Sequence, residues 1–570
     1  MRDRLDSWKD IAAYLRRGVR TVIRWEQEEG LPVHRLPHQK RGSVYAHPQE
    51  LDAWLAERCH LAGQPDAESS GGIPWTRLGG RWKLAVAALA LLSLSAFAWW
   101  NLRVAEAPAP IAIAVLPFQN EDADPAVAPL CNGIAEGIIR DLSRLPAHRA
   151  KVVSYSAVGS LASPWADLAA TARRLNVTTL LVGRLAEREN RLVVAVELVN
   201  AEDQTVLWSA RYDRSGAETL SMQREIAAEI ARRLPFTGSP VDLRRLNQQE
   251  TANPEAYRHY VRGRFLWSQR TPVSMLAAID AFQEAIRADP DFALAWSGLA
   301  DTYVPLAYYT SVPASESAPK ARAAAEQALR LDPDLAEAYA ARAYVQADYY
   351  WDWESAERDF RRALELNPGS ANVHHWYGER LSLVGRVDEA LAEYLVALEL
   401  DPLSLIINTN VAHSYYFGRD YNRTIEHCRH VIGLNEQFPN AHADLGRALL
   451  MTQQYPEAIR ELERATQLGG GPMNGLGRLG YAYAVAGRRE DALRILNRIL
   501  VPPQGERVAP FAVALVHVGM GNREQAIQWL GRAVDERAVY VTSIGVDPLF
   551  DSLREDARFG ALLRRINFTR

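Results

Sequence analysis

A 34-residue period runs through the C-terminal half of this 570-residue chain and limits its fold more than any other feature. Ala356, Ala390, Thr424, Ala458, Ala492 and Ala526 are each 34 residues apart. So are Ala363, Ala397, Val431, Ala465, Ile499 and Ala533. A third set, Gly378, Ala412, Gly446, Gly480 and Ala514, holds the same spacing with small residues only. Small side chains at a fixed period mark places where two helices of a hairpin approach closely. Pro290, Pro333, Pro368 and Pro402 fall where each second helix must stop, because proline cannot continue a helix. One hairpin cannot bury its apolar face alone, so the period predicts a stacked array with a continuous core and a concave groove.

These residues resemble tetratricopeptide (TPR) repeats from about Pro254 to the C-terminus, in about eight units. The resemblance implies a groove that takes a protein or peptide partner. The step from Pro290 to Pro333 is 43 residues, and the surplus in YYTSVPASESAPKA predicts a loop inserted on one face. Aromatic residues are dense on the first helices. Tyr308, Tyr309, Tyr349, Tyr350 and Trp351 exceed what packing needs and are the candidate partner surface. The segment from Val546 to Ile566 reads as a cap, with Leu549, Phe550, Leu553 and Phe559 turned inward.

The N-terminal half divides at nineteen consecutive uncharged residues, Leu84 to Leu102. As a helix they span roughly 28 Å at ~1.5 Å per residue, near the thickness of a hydrocarbon core. Arg77, Arg81 and Lys83 precede them, which predicts a cytoplasmic N-terminus. The expectation is a single-pass protein of the inner membrane, with a transmembrane helix at 82–103, a flexible linker at 61–81 and the C-terminal domains outside the cytoplasm. The whole chain, 48% hydrophobic and 24% charged, has the composition of a folded protein and excludes a polytopic membrane protein.

Residues 1–60 read as a nucleic-acid module. Ser7 can cap a helix whose apolar face is Ile11, Ala12 and Leu15. Gly18 allows a tight turn into a second helix, Val19 to about Glu29, on which Arg20, Arg24 and Gln27 form one polar stripe. Two extended runs, Val33–Arg35 and Ser43–Ala46, flank a basic turn carrying Lys40 and Arg41, and a closing helix is expected at Gln49–Ala56. Two short helices and a basic hairpin form a winged helix-turn-helix, with the second helix in the major groove and the hairpin tip on phosphate. The run IAAYLRRGVRTVIRWEQEEGLPVHR is similar to MerR/excisionase-type heads. That resemblance gives Thr21 and Arg24 the places of DNA-contacting residues and Trp25 the place of a packing aromatic. The candidate double-stranded DNA contacts are thus Arg20, Thr21, Arg24, Gln27, Lys40 and Arg41. Eleven Lys and Arg against nine Asp and Glu leave this head only weakly basic, so useful affinity calls for a homodimer on paired half-sites.

Between 110 and 235, apolar runs at Ile111–Phe118, Lys151–Ser156, Thr178–Leu185, Leu192–Val199 and Thr205–Tyr212 alternate with helical segments at Gly133–Leu142, Asp167–Leu175 and Met222–Leu234. The alternation predicts a small α/β domain. AVLPFQN, NGIAEGIIRDLSRL and LVVAVELVNAEDQTVLWSARYDR resemble the TolB-N-terminal-like, or FlgO-like, domain. The fold class expected overall is multidomain and mainly α, with one α/β domain.

No Walker A lysine loop, no GxGxxG after a strand, no HExxH and no GxSxG occurs, and no catalytic residue, cofactor or metal site is assigned. His374-His375 and His427/His430 could be drawn as metal pairs, but beyond Cys428 no carboxylate or cysteine constellation at ligand spacing supports them. The combination of head, span, α/β domain and repeats resembles CadC/ToxR-like membrane-integrated transcription regulators. It implies a one-component sensor; the alternative is an envelope TPR scaffold whose head does not bind DNA.

Overall fold

The computed structural model describes residues 5, 8–15, 22, 26, 31–35, 44–61, 111–123, 127–145, 150–159, 161, 164–189, 191–215, 218–233, 251–269, 271–310, 312–469, 474–502 and 507–568. The chain divides into two units, Met1–Glu106 and Ala107–Arg570.

In the first unit, helix α1 (Trp8–Tyr14) buries Ile11 and Ala12, the face that the apolar spacing predicts. Strands β1 (His34–Arg35) and β2 (Val44–Tyr45) pair antiparallel, with His34 opposite Tyr45. Helix α2 (Pro48–Leu61) closes the unit and turns Leu51 onto Ile11, Val22, Leu31, Val44 and Ala46. It begins at a proline, whose missing N–H and fixed φ suit the first helical position. Of the expected second helix only Val22 and Glu26 are described; both are helical, and Val22 is fully buried.

The expectation of a single-pass inner-membrane protein needs correction. No helix among the described residues is long and apolar enough to cross a membrane. The uncharged run from 84 to 102, on which that reading rested, lies outside the described residues, as does the linker before it. The length and hydropathy of that run and the basic residues before it carried the assignment, and none of these distinguishes a span from an apolar segment with another role.

The second unit opens with a six-stranded sheet in the order β5-β3-β6-β7-β8, with β4 beside β6. Its strands are β3 (Ile111–Val115), β4 (Gln119–Asn120), β5 (Ala150–Val152), β6 (Thr179–Arg188), β7 (Arg191–Asn200) and β8 (Val206–Ser215). β3 runs parallel to both neighbours, and β6, β7 and β8 form an antiparallel meander. Helices α3 (Ala128–Ser143) and α6 (Thr219–Arg233) cover one face through Ile134, Ile138, Ile226 and Ile230. Helices α4 (Tyr155–Gly159) and α5 (Leu168–Leu175) cover the other, over Ala114, Leu116, Leu180 and Val182. The strand β3 is buried on both faces, which is why its sequence reads as an unbroken apolar run.

Eight helix pairs follow among the described residues, from Pro254–Ser268 with Pro272–Ala288 to Pro510–Gly519 with Arg523–Asp535. Second helices end at Ala288, Leu331, Leu366 and Leu400, two residues before the four marker prolines. The small-residue ladder lies at the expected crossings: a Cβ on Gly446 would come within 2.6 Å of Leu462 on the neighbouring helix. The surplus before Pro333 is not a loop. It forms a short helix, Leu306–Tyr309, and the first turns of a long one, Ala314–Leu331. Alanines and an early Glu316–Lys320 pair favour helix there, and Pro319 lies near its N-terminal end, where few backbone hydrogen bonds are lost.

The α/β layer and the repeats share a core. Tyr257, Tyr260 and Val261 of the first repeat helix pack with Ile134 and Ile138. Tyr257 Oη donates to Gln223 Oε1 at 2.7 Å, and Gln223 donates on to Asp141 at 3.1 Å, a buried chain from repeat to α/β layer. A second contact forms farther along, where the Ser154 amide donates to the Leu400 carbonyl at 2.8 Å and the Ser156 hydroxyl donates to Asp401. The Glu136 and Arg140 side chains do not simply face each other along α3. Glu136 pairs with Arg264 of the repeats, and Arg140 donates to Tyr260 Oη at 3.1 Å.

Candidate functional site: the concave face of the repeats

The six proposed DNA contacts, Arg20, Thr21, Arg24, Gln27, Lys40 and Arg41, lie outside the described residues. His34 Nε2 lies 2.7 Å from Glu50, and its ring stacks on Tyr45. That hydrogen bond lowers the Glu50 pKa, and it ties His34 to the closing helix.

The five candidate partner aromatics separate into two groups. Tyr308 and Tyr309 line a cavity. Tyr308 Oη donates to Asp348 at 2.8 Å, and its ring meets Tyr540 edge-on at 5.3 Å. Tyr349, Tyr350 and Trp351 sit at and just after a π-helical turn, Gln346–Tyr350, which ends with Trp351 in the left-handed region at φ 58°. Here the C-terminal segment folds back onto the array. The Arg537 guanidinium lies 4.9 Å from the Tyr349 ring and 4.3 Å from the Trp351 ring. Trp353 Nε1 donates to the Ile566 carbonyl at 3.2 Å, and Asn567 donates to the Trp351 carbonyl at 3.1 Å. Trp351 is buried under this seal and offers no surface, while Tyr349 and Tyr350 are partly buried. The aromatic surplus is thus spent in part on an intramolecular contact across nearly two hundred residues, which no local pattern announces.

Two arginines anchor the same closure from inside. Arg380, 4% exposed, pairs with Asp348 at 2.6 Å and Glu379 at 2.8 Å and lies over the Tyr344 ring. Arg447, 1% exposed, pairs with Asp444 at 2.6 Å and Asp547 at 3.5 Å and lies over the Tyr416 ring. Tyr416 Oη donates to the same Asp547 at 2.9 Å. Charges this deeply buried require partners, and each has them. Burial nevertheless pushes the Glu379 carboxyl above the usual range.

Between the α/β layer and the repeats lies a cavity of about 1320 Å³. Its walls come from α3 and α4 on one side and from the first helices of successive repeats on the other. Trp376, Asn410, Asp444 and Arg478 lie along it at 34-residue spacing, one repeat position presented four times. Sequence reasoning missed this ladder because it followed the conserved-size positions of the period; the variable polar positions two residues before each small residue carried the signal. Several wall groups lack a hydrogen-bond partner: Ser297 Oγ, Asn367 Oδ1, Asp401 Oδ1 and His413 Nε2. Burial lowers the His413 pKa to about 3, so its ring is neutral in the fold. Burial also raises the Asp401 pKa.

The histidines considered for metal are placed otherwise. His374 Nδ1 lies 2.6 Å from Glu393 and Nε2 lies 3.1 Å from the Pro368 carbonyl. His442 repeats both contacts two units on, with Glu461 and the Glu436 carbonyl. They pin a first helix to its neighbours. Cys131 and Cys428 are buried free thiols.

Residues 109–229 match the family model "HilA/YgeH-like transcriptional regulator, second domain". The chain is 28% identical over 192 residues to "Putative adenylate cyclase 3" of Rhizobium meliloti (strain 1021), covering 34% of this chain and 32% of that protein. It is 22% identical over 291 residues to "Transcriptional regulator HilA" of Salmonella typhimurium, covering 51% of each. The chain therefore spans about a third of the first relative and about half of the second. Among solved structures, PilW, a type IV pilus biogenesis factor, shares 21% identity over 36% of this chain and 91% of that chain, at a TM-score of 0.31, a superposition too loose to argue from.

Proposed function

We propose that the chain is a transcription regulator that binds DNA through residues 1–60 and receives its input through the α/β layer and repeats. The observation that carries this reading is the match of 109–229 to a domain of HilA/YgeH-like regulators, in a chain whose similarity to HilA runs over 291 residues. Arg20, Arg24 and Gln27 on the second helix, with Thr21, read base edges and phosphate; Lys40 and Arg41 hold the hairpin to the backbone. A head with a net charge of only +2 binds feebly alone, so the active form is a homodimer on two half-sites. A protein or peptide partner, or a small effector, acts on the second unit and changes that pairing. The chain acts by binding rather than catalysis: the cyclase relative is matched over a third of its length, and purified protein supplied with ATP and Mg²⁺ should release no cyclic nucleotide.

The deciding experiment is genome-wide crosslinking and pull-down of the full chain beside the Arg20→Ala/Arg24→Ala variant. Discrete DNA peaks lost in the variant are expected. Peaks absent from both, with co-purifying proteins instead, would favour a second reading, an interaction scaffold, for which the eight stacked helix pairs speak.

A further inference from the structure

Arg478 belongs to the same ladder, yet it differs from the buried Arg380 and Arg447, because it is partly exposed to the cavity. Arg380 and Arg447 each hold two carboxylates. Arg478 has no ion pair or hydrogen bond among the described residues; its guanidinium carbon lies 5.2 Å from the Tyr540 ring. Burial and the neighbouring Arg447 charge both lower its pKa below the ordinary arginine value. A guanidinium stays charged in such a place, and Asp444 and Asp547 act on it only through space, without an ion pair.

Its surroundings fit one kind of guest. Arg478 and His413 line the same cavity, which has room for a small organic molecule. His413 stacks on Phe417 at 4.7 Å, leaving Nε2 without a partner. Tyr540, Tyr308 and Trp376 supply aromatic walls. The nearby acids are already committed: Asp444 and Asp547 to Arg447, and Glu379 to Arg380. The missing group at this end is an oxyanion attached to a flat or apolar body.

We propose that the Arg478 end of the cavity binds a small organic anion, its carboxylate or phosphate held by the Arg478 guanidinium and His413, its body against Tyr540 and Tyr308. Tyr540 belongs to the returning C-terminal segment and adopts φ 69° there. A guest on Arg478 therefore touches both the array and the segment that closes it, which couples occupancy to that closure. The proposal does not depend on DNA binding, since its readout is occupancy.

The test is calorimetric titration of the full chain with benzoate and with phenyl phosphate, at constant ionic strength. At least one probe should saturate, and the preferred one identifies the head group. Arg478→Gln should weaken it by about tenfold or more, Arg478→Lys should retain most of it, and His413→Phe should weaken it several-fold. His413→Phe keeps the stacked shape and removes an atom with no partner to lose, so it serves if Arg478→Gln does not fold. Failure of both probes to saturate up to roughly 10 mM, or binding unchanged in the arginine and histidine variants, would overturn the proposal. Anion binding without DNA peaks would reject the regulator reading alone.

Discussion

Arg447 and Asp547, one hundred residues apart, meet at 3.5 Å inside the protein, both almost wholly screened from solvent. Arg447 lies on a first helix of the array and Asp547 on the returning C-terminal segment, so this pair holds the array closed. Asp547 also caps the turn that follows it, accepting from the Leu549 amide at 3.0 Å.

Asp547→Asn should loosen this closure. It leaves Arg447 with Asp444 alone and weakens the Tyr416 hydrogen bond, a loss on the order of 3 kcal/mol. Urea unfolding should show a lower midpoint, and protease should cut the segment after 537 sooner than in the parent. Unchanged midpoint and cutting would show that the apolar contacts of Phe550 and Phe559 hold the segment without the ion pair.

His413 gives the fold an acid sensitivity. Its folded pKa, about 3, lies below the ordinary 6.5, so below pH 6.5 the unfolded chain binds the extra proton. This contribution is complete above pH 6.5 and is lost as pH falls toward 3, at up to ~1.4 kcal/mol per pH unit. His413→Phe should flatten the stability profile across that window in denaturant titrations. A profile as steep as the parent's would place the acid sensitivity in other groups.

Two glycine substitutions should move stability in opposite directions. Gly487 follows a first helix at φ 78°, with open space around it, so Gly487→Ala meets no neighbour but strains its own Cβ in the left-handed region and costs about 1 kcal/mol. Gly531 lies inside a helix, also in open space, and Gly531→Ala should gain up to about 1 kcal/mol. Paired thermal melts decide this, and equal signs would refute the backbone argument.

Arg264→Met should weaken the joint between the α/β layer and the array. Arg264 pairs with Glu136 on α3 and with Asp301 at 3.3 Å, and its guanidinium lies 4.5 Å from the Trp267 ring. Removing it leaves two acids facing one another in a partly buried place, a cost of about 3 kcal/mol or more. Hydrogen exchange should rise in α3 and in Pro254–Ser268 together. A rise in one alone would mean the two do not open as a unit.

The helices were legible because their causes are local. Prolines stop them, small residues recur at crossings, and the spacing of Ile11 and Ala12 marks a buried face. The strands from Ile111 to Tyr212 were legible for the same reason. The inserted segment after Tyr308 was misread, because proline-rich composition outweighed the alanines that make it helical. The membrane assignment rested on the length and hydropathy of one run and the basic residues before it, and it is withdrawn.

The sequence by itself determined the period, the number of stacked pairs and the alternation of the α/β layer. These follow from which residues bury side chains against near neighbours. Only the tertiary structure decided that Glu136 meets Arg264, that Arg537 covers Trp351, and that Arg478 has no ion pair among the described residues. Such pairings join residues separated by up to about two hundred positions. Their geometry comes from the accumulated rotation of many repeats, which no short window of sequence contains.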